Sequence, residues 1–219
     1  MHEISPRHLP GSAGEHRVQE TTGTSERAGR FYRDQMLDHL NSRMREFVAR
    51  QEMMFIATAD GRGECDSSFR AGPPGFVHVI DERTLTYPDF RGNGVFASAG
   101  NILENPHVGL MFLDFDRDRI GLHVNGRATL FEDMELRRRV HDLPVAEAPG
   151  QKAVMWTLVQ VEEAYIHCRK HIPHLRKVGR DEAWGTDDAL RKGGDFFEAK
   201  DTPAPWSRPT VSASSSEPR

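Results

Sequence analysis

The sequence predicts a mainly β fold, an antiparallel barrel with a few flanking helices. Short apolar runs of strand length recur between residues 53 and 168. Turn signals rich in Gly, Pro, Asn and Asp separate these runs at short intervals, and few stretches keep a helical period. About seven short strands joined this way point to a closed antiparallel barrel. The 219 residues suffice for one good core with arms at either end.

Residues 1–24 mix Pro, Gly, Ser, Thr, His and charge without a period and read as a flexible arm. Thr24 or Ser25 can cap a following helix. In that helix Leu37, Leu40, Met44, Phe47 and Val48 form an apolar stripe, with Arg43, Arg45 and Glu46 on the other face. Such a helix packs across a sheet or a barrel end. At Met53 the period changes: Met53 to Thr58 is a buried-strand run, ended by the hairpin turn Asp60-Gly61-Arg62-Gly63. A second strand covers Cys65 to Arg70, and Gly72-Pro73-Pro74-Gly75 then breaks the ladder because proline has no N–H to give. Phe76 to Ile80 and Thr84 to Tyr87 make a strand pair, Pro88 to Gly94 a loop, and Val95 to Glu104 a short helix stopped before Pro106. Val108 to Leu113 and Ile120 to Asn125 pair next. Gly126 marks a bulge or a close backbone approach, and Ala128 to Phe131 continues the strand. A small basic helix from Met134 to Asp142 and two strands, Ala153 to Val161 and Ala164 to Cys168, complete a domain over 25–195. Pro, Ser, Ala and charge dominate 196–219, which is expected to be a disordered tail.

Composition bounds the function. There are 29 basic and 33 acidic residues, a formal net charge of −4. A mildly acidic total offers no general attraction to nucleic acid or to an anionic membrane, so any anion site must be local. No apolar run reaches the roughly 18 residues of a membrane span, and the N-terminus lacks the apolar core of a secretory signal. Two cysteines, Cys65 and Cys168, are too few for a disulfide framework, which makes a cytoplasmic protein with free thiols the simpler reading. A dinucleotide-type Gly-x-Gly-x-x-Gly after a strand, a P-loop and a Gly-x-Ser-x-Gly elbow are all missing.

Three polar patches carry chemistry. Arg91-Gly92-Asn93-Gly94 sits where a strand gives way to a helix. Its glycines allow successive N–H groups to converge, the helix adds its positive end, and Arg91 adds a bidentate cation. A solvated turn is the plainer alternative. Ser68 and Arg70 face one side of their strand, with Ser67 and Phe69 on the other. That set suits a ligand rim or an exposed barrel face. His123 and Asn125 share a face, and Arg127 joins them if the alternation survives Gly126. Histidine, amide and guanidinium groups could serve the polar edge of a flavin ring, though His123 could equally be structural. His167, His171 and His174 with Cys168 superficially resemble a metal cluster. Without a ligand-spacing motif, and with Pro173 breaking any helix, a basic edge with Arg169, Lys170, Arg176 and Lys177 is more economical.

The segment Asn101-Ile102-Leu103-Glu104-Asn105-Pro106-His107-Val108-Gly109-Leu110-Met111-Phe112, with Val124-Asn125-Gly126-Arg127-Ala128, resembles pyridoxamine 5′-phosphate oxidase relatives, the FMN-binding split-barrel proteins. Tyr87-Pro88-Asp89-Phe90-Arg91-Gly92-Asn93 aligns the chain with the flavin-nucleotide-binding branch rather than the true vitamin-B6 oxidases. The resemblance runs from about Met53 to Phe131, with weaker support around Ala164 to Lys170. It implies an FMN-binding split β-barrel, a homodimer holding flavin at the subunit interface, and an oxidoreductase of a small-molecule substrate. By position it implies phosphate contacts from Ser67, Ser68 and Arg70, then Arg91 and Asn93. Phe69, Tyr87 and Gly92 belong to the same motifs. His123 and Asn125, followed by Arg127, would approach the ring, and Lys170 the flavin of a second subunit. Ser68 and Pro73 stand near positions where the oxidases have arginine and lysine, the loop after Tyr87 is longer, and their C-terminal Arg-x-His is missing. These departures speak against pyridoxamine phosphate as substrate. A non-catalytic flavin module, a deazaflavin cofactor, and a haem-binding split barrel with His167 or His171 as axial ligand stand as alternatives.

Overall fold

Among the described residues, seven strands with a two-residue eighth form one antiparallel sheet, and their register decides which side chains can meet. A computed structural model describes residues 9–145, 149–179, 185, 186, 188–203 and 206. The chain divides into two compact units, Met1–Gly179 and Arg180–Arg219. In the first unit the strands are β1 (Met36–Leu37), β2 (Met53–Ala59), β3 (Cys65–Ala71), β4 (His78–Asp81), β5 (Thr84–Phe90), β6 (His107–Leu113), β7 (Gly121–Phe131) and β8 (Ala153–His167). Their order is β3-β2-β6-β7-β8-β5-β4, with β1 paired to β8.

The mainly β class with flanking helices holds, but the expected closure does not: no ladder joins β3 to β4 among the described residues. The Gly72–Gly75 break explains this, since two prolines cannot donate to a ladder. The chain instead crosses the gap and buries Phe76 and Val77 there. An Arg70–Asp89 ion pair, 3.2 Å between Nη2 and Oδ2, ties β3 to β5 across the same side. The result is a curled, split barrel.

Alternation places Met54, Ile56, Leu110, Phe112, Leu122, Val124, Val159 and Ala164 on the inner face, where they form the main core with Leu85 and Tyr87. Each large side chain buried here contributes about 1.5–3 kcal/mol. A smaller core gathers Leu136, Val140, Leu143 and Trp156 under the basic helix α5 (Asp133–Arg139). The two expected C-terminal strands are a single one. Asn125 pairs with Glu163 and Gly126 with Val161, so Glu162 bulges out and the pairing continues. At Gly126 a Cβ would lie 2.0 Å from the Gln160 carbonyl oxygen, so the close backbone approach read from the sequence is real.

The N-terminal segment differs from the sequence reading. Within the expected arm, residues 13–21 form helix α1 (Ala13–Thr21), because Ser12 and Glu15 make a reciprocal capping box. The single long helix becomes α2 (Ser25–Gln35) and α3 (Ser42–Ala49). Leu37 is spent on pairing with Ala164 of β8, and Asn41 caps α3 by accepting from the Met44 N–H at 3.0 Å. Leu40, Phe47 and Val48 still bury against the barrel end. Strand β5 extends through Pro88 to Phe90, since β4 has ended and that edge asks for no further N–H donors. Helix α4 (Ala97–Glu104) follows the Gly94 turn (φ 81°) and a left-handed Phe96 (φ 53°). No helix among the described residues is long and apolar enough to cross a membrane. In the second unit residues 188–203 form turns. Of the tail expected to be disordered, residues 204, 205 and 207–219 lie outside the described residues.

Candidate functional site

Edge strand β3 carries its polar residues in two sets, split by the pleat. Asp66, Ser68 and Arg70 point inward and Cys65, Ser67 and Phe69 outward, as their alternating exposure shows. The inward set opens into a cleft of about 530 Å³. Its other walls are Asp89 and Phe90 at the end of β5, the Gly92–Phe96 turn, and Ala97 and Ser98 of α4.

The hydrogen bonds in this cleft form two small networks. Ser68 Oγ and Ser98 Oγ each donate to Asp66 Oδ2 at 2.8 Å and lie 3.1 Å from each other. Arg70 donates through Nη2 to Asp89 and through Nη1 to the Phe69 carbonyl, both at 3.2 Å. Its Nε is buried without a hydrogen-bond partner among the described residues. Asn93 Oδ1 accepts from the Val95 N–H at 3.0 Å, which fixes the turn. No side chain among the described residues caps helix α4, and an uncapped helix start is the kind of place where N–H groups can meet an anion. The charged residues lining the cleft are Asp66, Arg70 and Asp89, a formal sum of −1.

A second group occupies the outer face. Register places Phe69, Phe55, Met111, His123 and Tyr165 in one row across five strands. Phe69 stands edge-on to Phe55 with centroids 5.6 Å apart and remains 53% exposed. His123 stacks on Tyr165 at 4.8 Å and 16°, and its Nε2 lies 3.0 Å from His167 Nδ1. Burial, and then the charge of His167, lowers the His123 pKa, favouring the neutral ring. Burial likewise raises the Tyr165 phenol. In the next row Asn125 donates to Glu163 at 3.1 Å. Arg127 donates to His107 Nε2 at 2.8 Å, and His107 Nδ1 pairs with Asn105 Oδ1, so the His107 tautomer is fixed.

The structure therefore brings Ser68, Arg70, Gly92 and Asn93 together around one cleft, which Phe69 borders through its backbone while its ring lies on the outer face. Arg91 precedes that wall and does not line it. Ser67, His123, Asn125 and Arg127 lie on the opposite face of the sheet. Tyr87 is 1% exposed within the core beside Thr157, its phenol pushed well up by burial. Lys170 is exposed in a short 3-10 turn after β8 (Arg169–His171), anchored by Arg169 to the Asp118 carbonyl at 2.9 Å. His174 pairs with Asp116 at 3.2 Å. Sequence reasoning missed Asp66, Asp89 and Ser98 as cleft residues. Strand alternation from Ser68 could have found Asp66, and Ser98 is the hydroxyl in the first turn of the expected helix. The Asp89 partnership joins distant strands and had no local signal.

Comparison with known proteins adds a family. The profile described as "Pyridoxamine 5'-phosphate oxidase" matches residues 40–168. A comparison with curated proteins finds no match. Among solved structures, an FMN-binding protein from Syntrophomonas wolfei is similar at 15% identity and a TM-score of 0.45, over 71% of this chain and 97% of that one. HupZ of Group A Streptococcus is 18% identical at a TM-score of 0.44, over 62% of this chain and 98% of that one. HutZ, described as a heme storage protein of Vibrio cholerae, is 17% identical at a TM-score of 0.42, over 58% of this chain and 94% of that one.

Proposed function

The chain belongs to the pyridoxamine 5′-phosphate oxidase family, and from that premise we propose that it binds FMN and serves as a flavin-dependent oxidoreductase of a small organic molecule. The observation that carries this reading is the cleft beneath β3. The half-buried Arg70 there keeps its Nε–H without a partner among the described residues, and an uncapped helix start faces the same space. Both are donors of the kind an anionic group needs. The residues fit the phosphate end of a flavin nucleotide at these two points and oppose it at a third, the Asp66 carboxylate.

When bound, the flavin supplies two-electron hydride chemistry at its ring. The part of this chain is to hold and to shield. Arg70, kept rigid by Asp89, anchors the anionic end, and the Asn93 turn presents backbone donors to it. On the outer face His123, held neutral by burial, offers either a donor or an acceptor to a planar ring, with Asn125 beside it.

Arg70 and His123 lie on opposite faces of one sheet, so a single bound flavin reaches both only if two chains supply them. This favours a homodimer that covers the Phe69–Phe55–Met111 row and holds two flavins in clefts between its subunits. The missing oxidase positions argue against pyridoxamine phosphate as the substrate. The reading is tested by the absorption spectrum and the mass of whatever co-purifies with the protein. A flavin spectrum and the mass of FMN are expected. A Soret band with haem released on denaturation would overturn the reading.

A further inference from the structure

The cleft proposed for the flavin's phosphate end contains a carboxylate that an FMN site does not call for. Asp66 Oδ2 takes both hydroxyl protons offered there, from Ser68 and Ser98, at 2.8 Å each. These are the side-chain hydroxyls that would otherwise turn toward a phosphate. The guanidinium of Arg70 is already matched by Asp89, whose side chain is 13% exposed. The charged groups lining the cleft thus leave one uncompensated negative charge, and it is Asp66. A phosphate monoester carries about −1.5 to −2 charges at neutral pH, and a like charge a few ångströms away in a half-enclosed site opposes it strongly.

We infer that Asp66 is a specificity-determining residue that sets which end group the cleft accepts. It discriminates against the phosphate dianion and favours a hydroxyl-terminated polyol chain. A carboxylate accepts hydroxyl protons readily, and riboflavin, whose ribityl chain ends in a hydroxyl, offers one where FMN offers a phosphate. The partnerless Arg70 Nε and the α4 N–H groups still attract the phosphate, so the two opposing effects leave the flavins close in affinity. This inference rests on the flavin reading above and adds the chemistry of the end group.

The test is a flavin-fluorescence titration of the full-length protein with FMN and, separately, with riboflavin, on the wild type, D66N and Ser98→Ala. The wild type is expected to bind the two within about fivefold of each other. D66N keeps the shape and removes the charge, and is expected to tighten FMN at least about tenfold while weakening riboflavin about threefold or more, because an amide oxygen accepts the terminal hydroxyl less strongly than a carboxylate does. Ser98→Ala keeps the carboxylate and strips one of its donors, and is expected to weaken FMN alone, by about threefold. A wild-type preference for FMN of about a hundredfold or more, or a preference unchanged in D66N, overturns the inference and leaves the flavin reading standing. Binding of neither flavin to the wild type or to D66N overturns both.

Discussion

Replacing Arg70 by methionine removes the guanidinium that holds the two edges of the split barrel together while keeping most of its apolar stem. The pair joins β3 to β5, where no backbone ladder does, and both side chains are mostly buried, at 19% and 13% exposure. An Asp89 left without its partner in that position costs about 3 kcal/mol, the low end for breaking a buried pair, because water can enter from the cleft. Asp89→Asn removes the charge but keeps an acceptor for Arg70, so its cost is smaller, about 1–2 kcal/mol. The double variant leaves neither charge stranded and is expected near 1–2 kcal/mol, a coupling of about 3 kcal/mol. Urea unfolding of the four flavin-free proteins measures this cycle directly. An Arg70→Met cost under about 0.5 kcal/mol, or additivity within about 0.5 kcal/mol, would refute the idea that this pair substitutes for the missing ladder.

Gly126→Ala drives a Cβ to 2.0 Å from the Gln160 carbonyl. The β7–β8 pair must part there, and a loss of about 3 kcal/mol is expected by thermal or urea unfolding; a loss below about 1 kcal/mol would contradict the close approach. His123 has its pKa lowered from 6.5, chiefly by burial. The unfolded chain binds a proton more readily than the native one, so this contribution is full above pH 6.5 and fades as pH falls below it. His123→Gln should flatten that part of the stability–pH curve, and an unaltered slope would assign it to other groups. Phe69→Arg places charge on the exposed apolar row, and light scattering should show a dimer shifting toward monomer; an unchanged mass would move the interface elsewhere.

Much of the barrel was legible because strands announce themselves by local pattern. Met53–Thr58 and Val108–Leu113 are apolar runs bounded by turn residues, and their observed limits differ by a residue at one end. The failures came where tertiary contacts outvote local signals. Leu37 fits a helical stripe as well as a strand, and only the vacant edge of β8 decides for the strand. Pro88 reads as a breaker, yet it lies in β5 because β4 is too short to need its N–H. Closure fails at Gly72–Gly75, where two prolines interrupt the ladder, and the Arg70–Asp89 pair that bridges the gap joins distant strands without a local signal. In the site, alternation separated Ser68 and Arg70 from Ser67 and Phe69 correctly. The pleat sends the two sets of β3 side chains to opposite faces, and nothing in the sequence says which of those faces opens into a cleft. Tyr87 sits in sequence within a polar motif, but its register opposite Thr157 sends it into the core.

Direct titration of flavin fluorescence with the purified, ligand-stripped protein, followed for wild type and Arg70→Met, tests flavin binding in the β3 cleft. Saturable quenching at one flavin per chain, weakened about thirtyfold or more in Arg70→Met, is the expected result. Fluorescence that does not change on addition of the protein, or that saturates identically in the variant, would place the flavin elsewhere or nowhere on this chain.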